Sequence, residues 1–309
     1  PLLAAFGRHR WLRALHLHVG SQGVPLEAVA EGAARAWAFA GEIPRGGRAR
    51  VAAFDVGGGT PVVFSSDSGA ATSAPFCALA RPGPKPAPVV AAPAEPFHLA
   101  QIRRAAGVRR HAGRRLPAAP LLITENGRAL VAKAGSAAAR VEYLKHAEGK
   151  WGDGPGGGGG GRRPIAVCHM GADLLMRACY LPAQWSLRVF VVDGEAFLPR
   201  EAAAADEQGG GWRPQDVAGP LCFQGDRLAV ARRMPAARQG DWVVAADAGA
   251  YALSMWSHYN RRQAPSVWGY RTKAAAAADG AGELELELLR KGDTIGDVLA
   301  FWAAGGDER

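Results

Sequence analysis

Paired cysteines, long apolar segments and acidic residues are all scarce in this sequence of 309 residues. The four cysteines form no C-x-x-C pair, which argues against a zinc site. Four thiols in a chain of this length also suit a reducing compartment better than a disulfide framework. No stretch of about 18 apolar residues is free of charge, glycine and proline, so the sequence predicts no membrane span.

Acidic residues are outnumbered, with 28 Asp and Glu against 37 Lys and Arg, and the formal net charge is +9. Much of this excess is local, because one acid-free stretch carries Arg103, Arg104, Arg109, Arg110, Arg114 and Arg115. Nucleic-acid-binding segments typically combine such charge with aromatic side chains, and regular aromatics are lacking here. We interpret the stretch as a solvated loop or helix face and expect no nucleic-acid partner.

Hydrophobic residues nevertheless make up 48% of the chain, which is enough to fill a sizeable core. The length is typical of two domains. Because the sequence opens on Pro1 rather than Met, we expect the natural N-terminus, with any targeting signal, to lie upstream. The composition therefore predicts a globular protein.

Short apolar runs in the first half predict three buried strands, Trp11–Val19, Val51–Val56 and Leu121–Thr124. Apolar residues at helical spacing predict an amphipathic helix over 25–40. Each strand is followed directly by glycine-rich or polar residues. This alternation favours parallel β/α units, and in a β/α barrel the active site lies at the C-terminal ends of the strands.

The pattern changes after residue 164. Leu187–Val192 and Trp242–Ala245 are predicted strands, and alternating Glu and Leu over 283–288 predict a strand with one exposed face. Together these strands predict a mostly antiparallel β domain over 164–309. Asp293 or Thr294 is expected to cap a closing helix. That helix is predicted to bury Ile295, Val298, Leu299 and Trp302.

His16 and His18 are predicted to share one face of the first strand, so a metal-binding pair is one interpretation. No carboxylate or cysteine follows at ligand spacing, and a histidine satisfied within the core is the plainer alternative. We predict no metal site. The string around these histidines supports a third interpretation.

Five short motifs occur in one order along the chain. They are His18-Val19-Gly20-Ser21-Gln22, Asp55-Val56-Gly57-Gly58-Gly59, Glu125-Asn126-Gly127-Arg128, Gly219-Pro220-Leu221-Cys222-Phe223-Gln224-Gly225-Asp226 and Gly249-Ala250-Tyr251. Each alone is weak, but the ordered set resembles the ornithine/diaminopimelate/arginine decarboxylase family, over roughly residues 11–302 apart from the insertions. This family uses pyridoxal phosphate and has an alanine-racemase-like fold.

The resemblance implies an α/β fold followed by a β domain. The expected architecture is a pyridoxal-phosphate-binding (β/α)8 barrel, incomplete at its N-terminus, over 1–163, with insertions at 67–118 and 152–163. The β domain over 164–309 would carry the Cys222 and Tyr251 motifs.

The resemblance also assigns cofactor-binding residues. The backbone at Gly57, Gly58 and Gly59 can approach a phosphate closely, because glycine has no side chain. Ser21, Gly127 and Tyr251 match the family's other phosphate contacts, and His18 matches the histidine that stacks on the pyridine ring. Arg128 lies beside them in the Glu-x-Gly-Arg motif.

Glu125 and Cys222 are the expected catalytic residues. By resemblance, Glu125 lies beside the pyridine nitrogen, where a carboxylate favours the protonated ring. Cys222 matches the cysteine that returns a proton after decarboxylation, and its alternative interpretation is a small buried apolar residue. In the family this cysteine loop reaches the neighbouring subunit, which implies a homodimer.

The sequence departs from the family in two places. The family's Schiff-base lysine lies in a Tyr-x-x-Lys-x-Asn string, and none of the chain's lysines does (Lys85, Lys133, Lys145, Lys150, Lys273, Lys291). We expect that lysine to lie upstream of Pro1. Phe223 stands where ornithine and diaminopimelate enzymes usually carry an acidic residue.

Substrate-binding residues are expected to be Arg128, Arg177, Tyr180 and Tyr251. Arg177 and Tyr180 resemble an arginine and a tyrosine that bind the distal carboxylate of diaminopimelate, although their spacing here is three residues rather than four. The resemblance therefore favours decarboxylation of diaminopimelate to lysine, in the cytoplasm or a plastid. The alternatives are an ornithine- or arginine-type decarboxylase and a catalytically inactive relative that binds partners.

Overall fold

A computed structural model describes residues 1–21, 24–44, 51–59, 62, 120–147, 163–182, 185, 187–195, 212–272 and 284–303. The predicted insertions at 67–118 and 152–163 lie outside these residues, except for Arg163, and so do Gln22, Cys77, Lys85, Lys150 and Lys273. The helices found within them are α1 (Leu2–Arg8), α2 (Leu26–Glu42), α3 (Arg128–Val131), α4 (Met176–Tyr180) and α5 (Ile295–Ala303). None of these described helices has both the length and the apolar character that a membrane span requires.

The strands follow in chain order. They are β1 (Ala14–His16), β2 (Ala53–Asp55), β3 (Leu121–Ile123), β4 (Ala137–Ala147), β5 (Arg163–Cys168), β6 (Val189–Val192), β7 (Trp212–Ala218), β8 (Arg227–Pro235), β9 (Trp242–Ala245), β10 (Val267–Thr272) and β11 (Leu284–Arg290).

Strands β1, β2 and β3 form a small parallel sheet in that order, as the sequence predicts for parallel units. Helix α2 lies between β1 and β2 in the chain, and its Trp37 ring stacks on Phe54 with centroids 5.0 Å apart. Phe54, Ile43 and Phe6 belong to one buried cluster beneath the helix. Parallel pairing places the C-terminal ends of all three strands at one edge, where the first functional loops lie.

The second half forms a six-stranded sheet with the order β6-β9-β4-β5-β7-β8. Every adjacent pair is antiparallel except β5 and β7, which confirms a mostly antiparallel sheet domain. Strand β4 pairs with both β5 and β9, so the sheet includes a strand from before residue 163. The main hydrophobic core lies on this sheet and includes Val141, Met170, Val217 and Val243.

The last elements are a hairpin of β10 and β11 and the helix α5. Thr294 caps α5, since its hydroxyl accepts a bond from the Asp297 amide at 3.1 Å while the Asp297 carboxylate accepts from the Thr294 amide at 2.8 Å.

The predicted burial of the α5 apolar face is wrong for most of that face. Val298 is buried, whereas Ile295, Leu299 and Trp302 are 69%, 59% and 52% exposed. Helical spacing correctly identifies which side chains share a face. It cannot say how fully other elements cover that face, and in the described part of the chain these three side chains stay more than half exposed.

Candidate functional site

The loops after β1, β2 and β3 contact one another at the C-terminal edge of the parallel sheet. The Gly57 amide donates a hydrogen bond to Asp55 Oδ1 at 2.9 Å, and the Gly58 amide donates to His18 Nδ1 at 3.3 Å. The Glu125 amide donates to the Gly57 carbonyl at 2.9 Å. Three segments that are far apart in sequence thus converge, and the His18, Gly57–Gly59 and Glu125 motifs meet.

Glycine is required here by close backbone contact. A Cβ atom at Gly58 would collide with the Glu125 carbonyl, and one at Gly59 would collide with the Gly20 carbonyl, next to Ser21. Gly59 also has a positive φ of +83°, which favours glycine. The glycines therefore allow the three loops to lie directly against one another.

Replacing Gly58 with Ala is expected to lower the free energy of unfolding by about 1–3 kcal/mol, because the methyl group must displace the Glu125 carbonyl. Gly41→Ala is the control, because nothing lies within 4 Å of a Cβ there and the position is helical. Chemical denaturation of both variants measures the difference. Wild-type stability in Gly58→Ala would show that the loops do not need this contact.

The two histidines of the first motif have different neighbours. His18 accepts the bond from Gly58, whereas His16 Nε2 lies 3.8 Å from Glu125 Oε2. His16, Asp55 and Glu125 each bring a ligand atom within 4.8 Å of the other two. This trio of one imidazole and two carboxylates can hold a cation or a protonated ring nitrogen.

A second cluster consists of two arginines between two aromatic rings. The Arg128 guanidinium carbon lies 4.1 Å from the Trp185 ring centroid and 4.4 Å from that of Tyr251. For Arg177 the corresponding distances are 4.9 Å and 4.1 Å. Both guanidiniums thus contact the same two rings, and the motifs of Arg128, Arg177 and Tyr251 converge on one pocket.

The electrostatics of this pocket favour an anion. Burial, followed by the charge of Arg177, lowers the pKa of Arg128 to about 10, so Arg128 is still charged near neutral pH. Arg128 is only 8% exposed, and its buried Nη2 has no hydrogen-bond partner among the described residues. Leaving a buried charged donor unsatisfied is costly, and an anionic ligand would satisfy it.

Asp247 also lines the pocket, but its carboxylate is already engaged. Arg188 donates to it twice at 2.7 Å, and Lys133 Nζ lies 3.3 Å away. The described lining therefore presents two positive charges beside a neutralised acid.

The hydrogen bond from the Gly249 amide to the Ala132 carbonyl, at 3.0 Å, joins the Tyr251 loop to the turn that follows α3.

Cys222 lies in a tight loop, and its side chain is exposed. The buried Asp226 carboxylate accepts bonds from the Leu221 amide at 2.8 Å and from the Ala172 amide at 2.6 Å. Asp226 is thus a structural residue that fixes the loop beside the segment preceding α4. The neighbouring Phe223 ring stacks on Tyr180 with centroids 4.7 Å apart.

The structure therefore groups most of the predicted site residues into three clusters, and it adds residues that sequence reasoning missed. Asp55 lies in a motif that was interpreted only through its glycines. Asp247 and Trp185 carry no motif at all, and no sequence signal marks them as part of the pocket.

Comparison with known proteins identifies a family. Residues 33–249 match the family model described as pyridoxal-dependent decarboxylase, C-terminal sheet domain. Diaminopimelate decarboxylase from Pseudomonas aeruginosa is 36% identical over 141 residues, which are 46% of this chain and 27% of that protein. The aligned part is thus about a quarter of the relative's length.

Solved structures show the same fold. A crystal structure of a diaminopimelate decarboxylase superposes with a TM-score of 0.65 at 23% identity, covering 98% of this chain and 59% of that one. The Helicobacter pylori diaminopimelate decarboxylase complexed with L-lysine superposes with a TM-score of 0.64 at 19% identity, with the same coverage. The chain thus spans just over half the length of these structures.

Proposed function

The chain belongs to the pyridoxal-dependent decarboxylase family, and from that premise we propose that it decarboxylates diaminopimelate to lysine. The observation that carries this proposal is the contact of the Gly57–Gly59 loop with Glu125, three residues before Arg128 in the chain, since Arg128 lines a pocket with Arg177 and Tyr251. The overall architecture that we propose is a pyridoxal-phosphate-binding β/α barrel, to which β1–β3 and α2 belong, followed by the sheet domain.

The residues present fit a bound pyridoxal phosphate. Glycines whose backbones lie in contact, together with Ser21, suit a phosphate, and the unsatisfied buried Nη2 of Arg128 offers it a charged donor. We also assign Gly127 and the Tyr251 hydroxyl to this group. When bound, pyridoxal phosphate supplies an electron sink for the electron pair left behind as carbon dioxide departs.

Glu125 and His18 would act on the ring. The Glu125 carboxylate favours the protonated form of a neighbouring pyridine nitrogen, because an opposite charge stabilises it. The His18 imidazole, which is fixed by the Gly58 amide, offers a flat face for stacking. Arg177 and Tyr180 on α4 would bind the distal carboxylate of the substrate, together with Arg128 and Tyr251.

Cys222 would supply the proton that replaces the lost carboxyl group, and exposure makes its thiol accessible. In the family this loop serves the neighbouring subunit, so we propose a homodimer with shared active sites. Size-exclusion chromatography with light scattering measures the oligomeric state. We propose the cytoplasm or a plastid as the location.

The protein expressed from its intact gene, purified with pyridoxal phosphate, is expected to release carbon dioxide from meso-diaminopimelate and to form lysine. Ornithine and arginine are assayed beside it. If carbon dioxide were released only from ornithine or arginine, the proposed substrate would be wrong but the proposed reaction, decarboxylation, would be right. No release from any of the three would contradict the proposed function.

A further inference from the structure

The segment His258–Arg262 adopts a backbone that ordinary residues avoid. Asn260 has φ 54° and ψ 27°, and Arg261 also has a φ of 54°. Left-handed conformations are unfavourable for a residue with a side chain, although asparagine tolerates them better than most. Two such residues in succession persist only where surrounding contacts hold them.

Those contacts come mainly from Arg262 at the end of the segment. Its Nε donates to Asp173 Oδ2 at 2.7 Å, and its Nη2 donates to the His169 carbonyl at 2.9 Å. The Arg261 amide donates to the His258 carbonyl at 2.7 Å, which closes the turn. The segment is thus tied to the chain that precedes α4, and these bonds hold the backbone on both sides of Asn260.

Asn260 points at the thiol of Cys222. Its Nδ2 donates to Cys222 Sγ at 3.4 Å, and the thiol lies 3.5 Å from its Oδ1, within range to donate in return. The neighbouring Tyr259 also hydrogen-bonds to Cys222, and this contact contributes to the raised pKa of the tyrosine, behind burial and the charge of Cys222. Asn260 thus offers the thiol both a donor and an acceptor.

We propose that Asn260 is a positioning residue for Cys222, and the part of this inference that concerns catalysis rests on the proposed function. When the thiol gives its proton to the substrate carbon, the S–H bond breaks and its electron pair remains on Sγ. The Nδ2–H donor then bonds to a charged sulfur, and such bonds are stronger than neutral ones. The strained backbone keeps this donor in place before and after the transfer.

The rate of Cys222 alkylation by iodoacetamide tests this on the chain as it stands, without cofactor or substrate. Peptide-resolved mass spectrometry follows Cys222 separately from the other cysteines. Because only the thiolate reacts, Asn260→Gly is expected to slow the reaction about fivefold through loss of the donor. Asn260→Asp is expected to slow it about tenfold or more, because a carboxylate repels the thiolate at this distance.

Arg261→Gly is the matched control, because it has the same φ and its guanidinium lies 5.4 Å over the Trp302 ring. It is expected to react at the wild-type rate. Glycine accepts a positive φ, so Asn260→Gly removes the amide without adding strain. Folding is read in the same experiment, because burial raises the pKa of Cys168 to about 11 and of Cys179 to about 12, and both become reactive only on unfolding.

A wild-type or faster rate at Cys222 in folded Asn260→Gly overturns the proposal. Equal slowing in Arg261→Gly overturns it as well, because the effect would then belong to the backbone of the segment. The protein could also show the expected rates of Cys222 alkylation but fail to decarboxylate any amino acid. That result would contradict the proposed function, whereas the proposed interaction between Asn260 and the thiol would still be supported.

Discussion

Replacing Glu125 with Gln is expected to lower kcat for decarboxylation about 100-fold in the protein expressed from its intact gene, as for other single electrostatic contacts in active sites. Glutamine keeps the size of the side chain and removes its charge, so the protonated form of a neighbouring ring nitrogen loses its partner. The side chain is exposed at the end of the β3 loop, so folding should be largely unaffected. Steady-state kinetics together with a denaturation curve separate the two effects.

The chain offers a closely matched control for this substitution. Glu142 Oε1 lies 3.4 Å from His169 Nε2, and both side chains are exposed to a similar degree as those of the Glu125–His16 pair. Glu142→Gln therefore removes the same kind of exposed carboxylate–imidazole contact from the sheet domain, and it is expected to leave kcat unchanged. If Glu125→Gln also kept its kcat, the assignment of Glu125 to the ring nitrogen would be wrong.

The strand predictions show that an apolar run in a sequence indicates which residues are buried, and not where a strand begins and ends. The run Val51–Val56 predicts one strand, and the strand that forms spans only Ala53–Asp55. Val51 and Val56 are both buried although they lie outside the ladder. Apolar runs report burial, whereas the ends of a strand depend on where its partners stop pairing, and that information lies elsewhere in the chain.

The site was predictable where motifs fix the backbone. Gly58 and Gly59 follow a strand in a recognisable string, and the structure shows that carbonyl contacts require them to be glycine. Trp185 was not predictable, because a single tryptophan in an irregular segment has no pattern. Its role depends on two arginines, Arg128 and Arg177, that are distant in sequence and meet only in the folded chain.

The charges in the pocket determine which distal group of a substrate it favours. Arg128 and Arg177 place two positive charges beside Tyr251, and Asp247 is already paired with Arg188 and Lys133. A distal carboxylate on the substrate would bind such charges strongly, whereas a distal ammonium group would be repelled.

The Cys222 loop has no acidic residue at the position where the family usually carries one, so it offers no partner for a distal ammonium group. Phe223 occupies that position, and its ring is stacked on Tyr180. An ammonium group against an aromatic face gains about 0.5–2 kcal/mol, which is usually less than a charge-assisted hydrogen bond provides. Ornithine, whose distal group is only an amine, is therefore expected to be a poor substrate.

We accordingly expect the protein expressed from its intact gene to have a higher kcat/KM for diaminopimelate than for ornithine. Arg177→Ala is expected to lower the ratio of these two kcat/KM values about tenfold or more, which is the usual effect of losing a hydrogen bond to a charged group. Arg140→Ala is the matched control, because Arg140 also lies over a tryptophan ring, that of Trp242 at 5.8 Å, but does not line the pocket. It should leave the ratio unchanged.

The two possible failures of this experiment have different meanings. If ornithine were the better substrate, the cationic pocket would not be where the distal end of the substrate binds. If diaminopimelate were preferred but Arg177→Ala left the ratio unchanged, the assignment of Arg177 to the distal carboxylate would be wrong, although its guanidinium lies in the pocket. In both cases the decarboxylation would remain, because it depends on Glu125 and Cys222 and not on how the far end of the substrate is held.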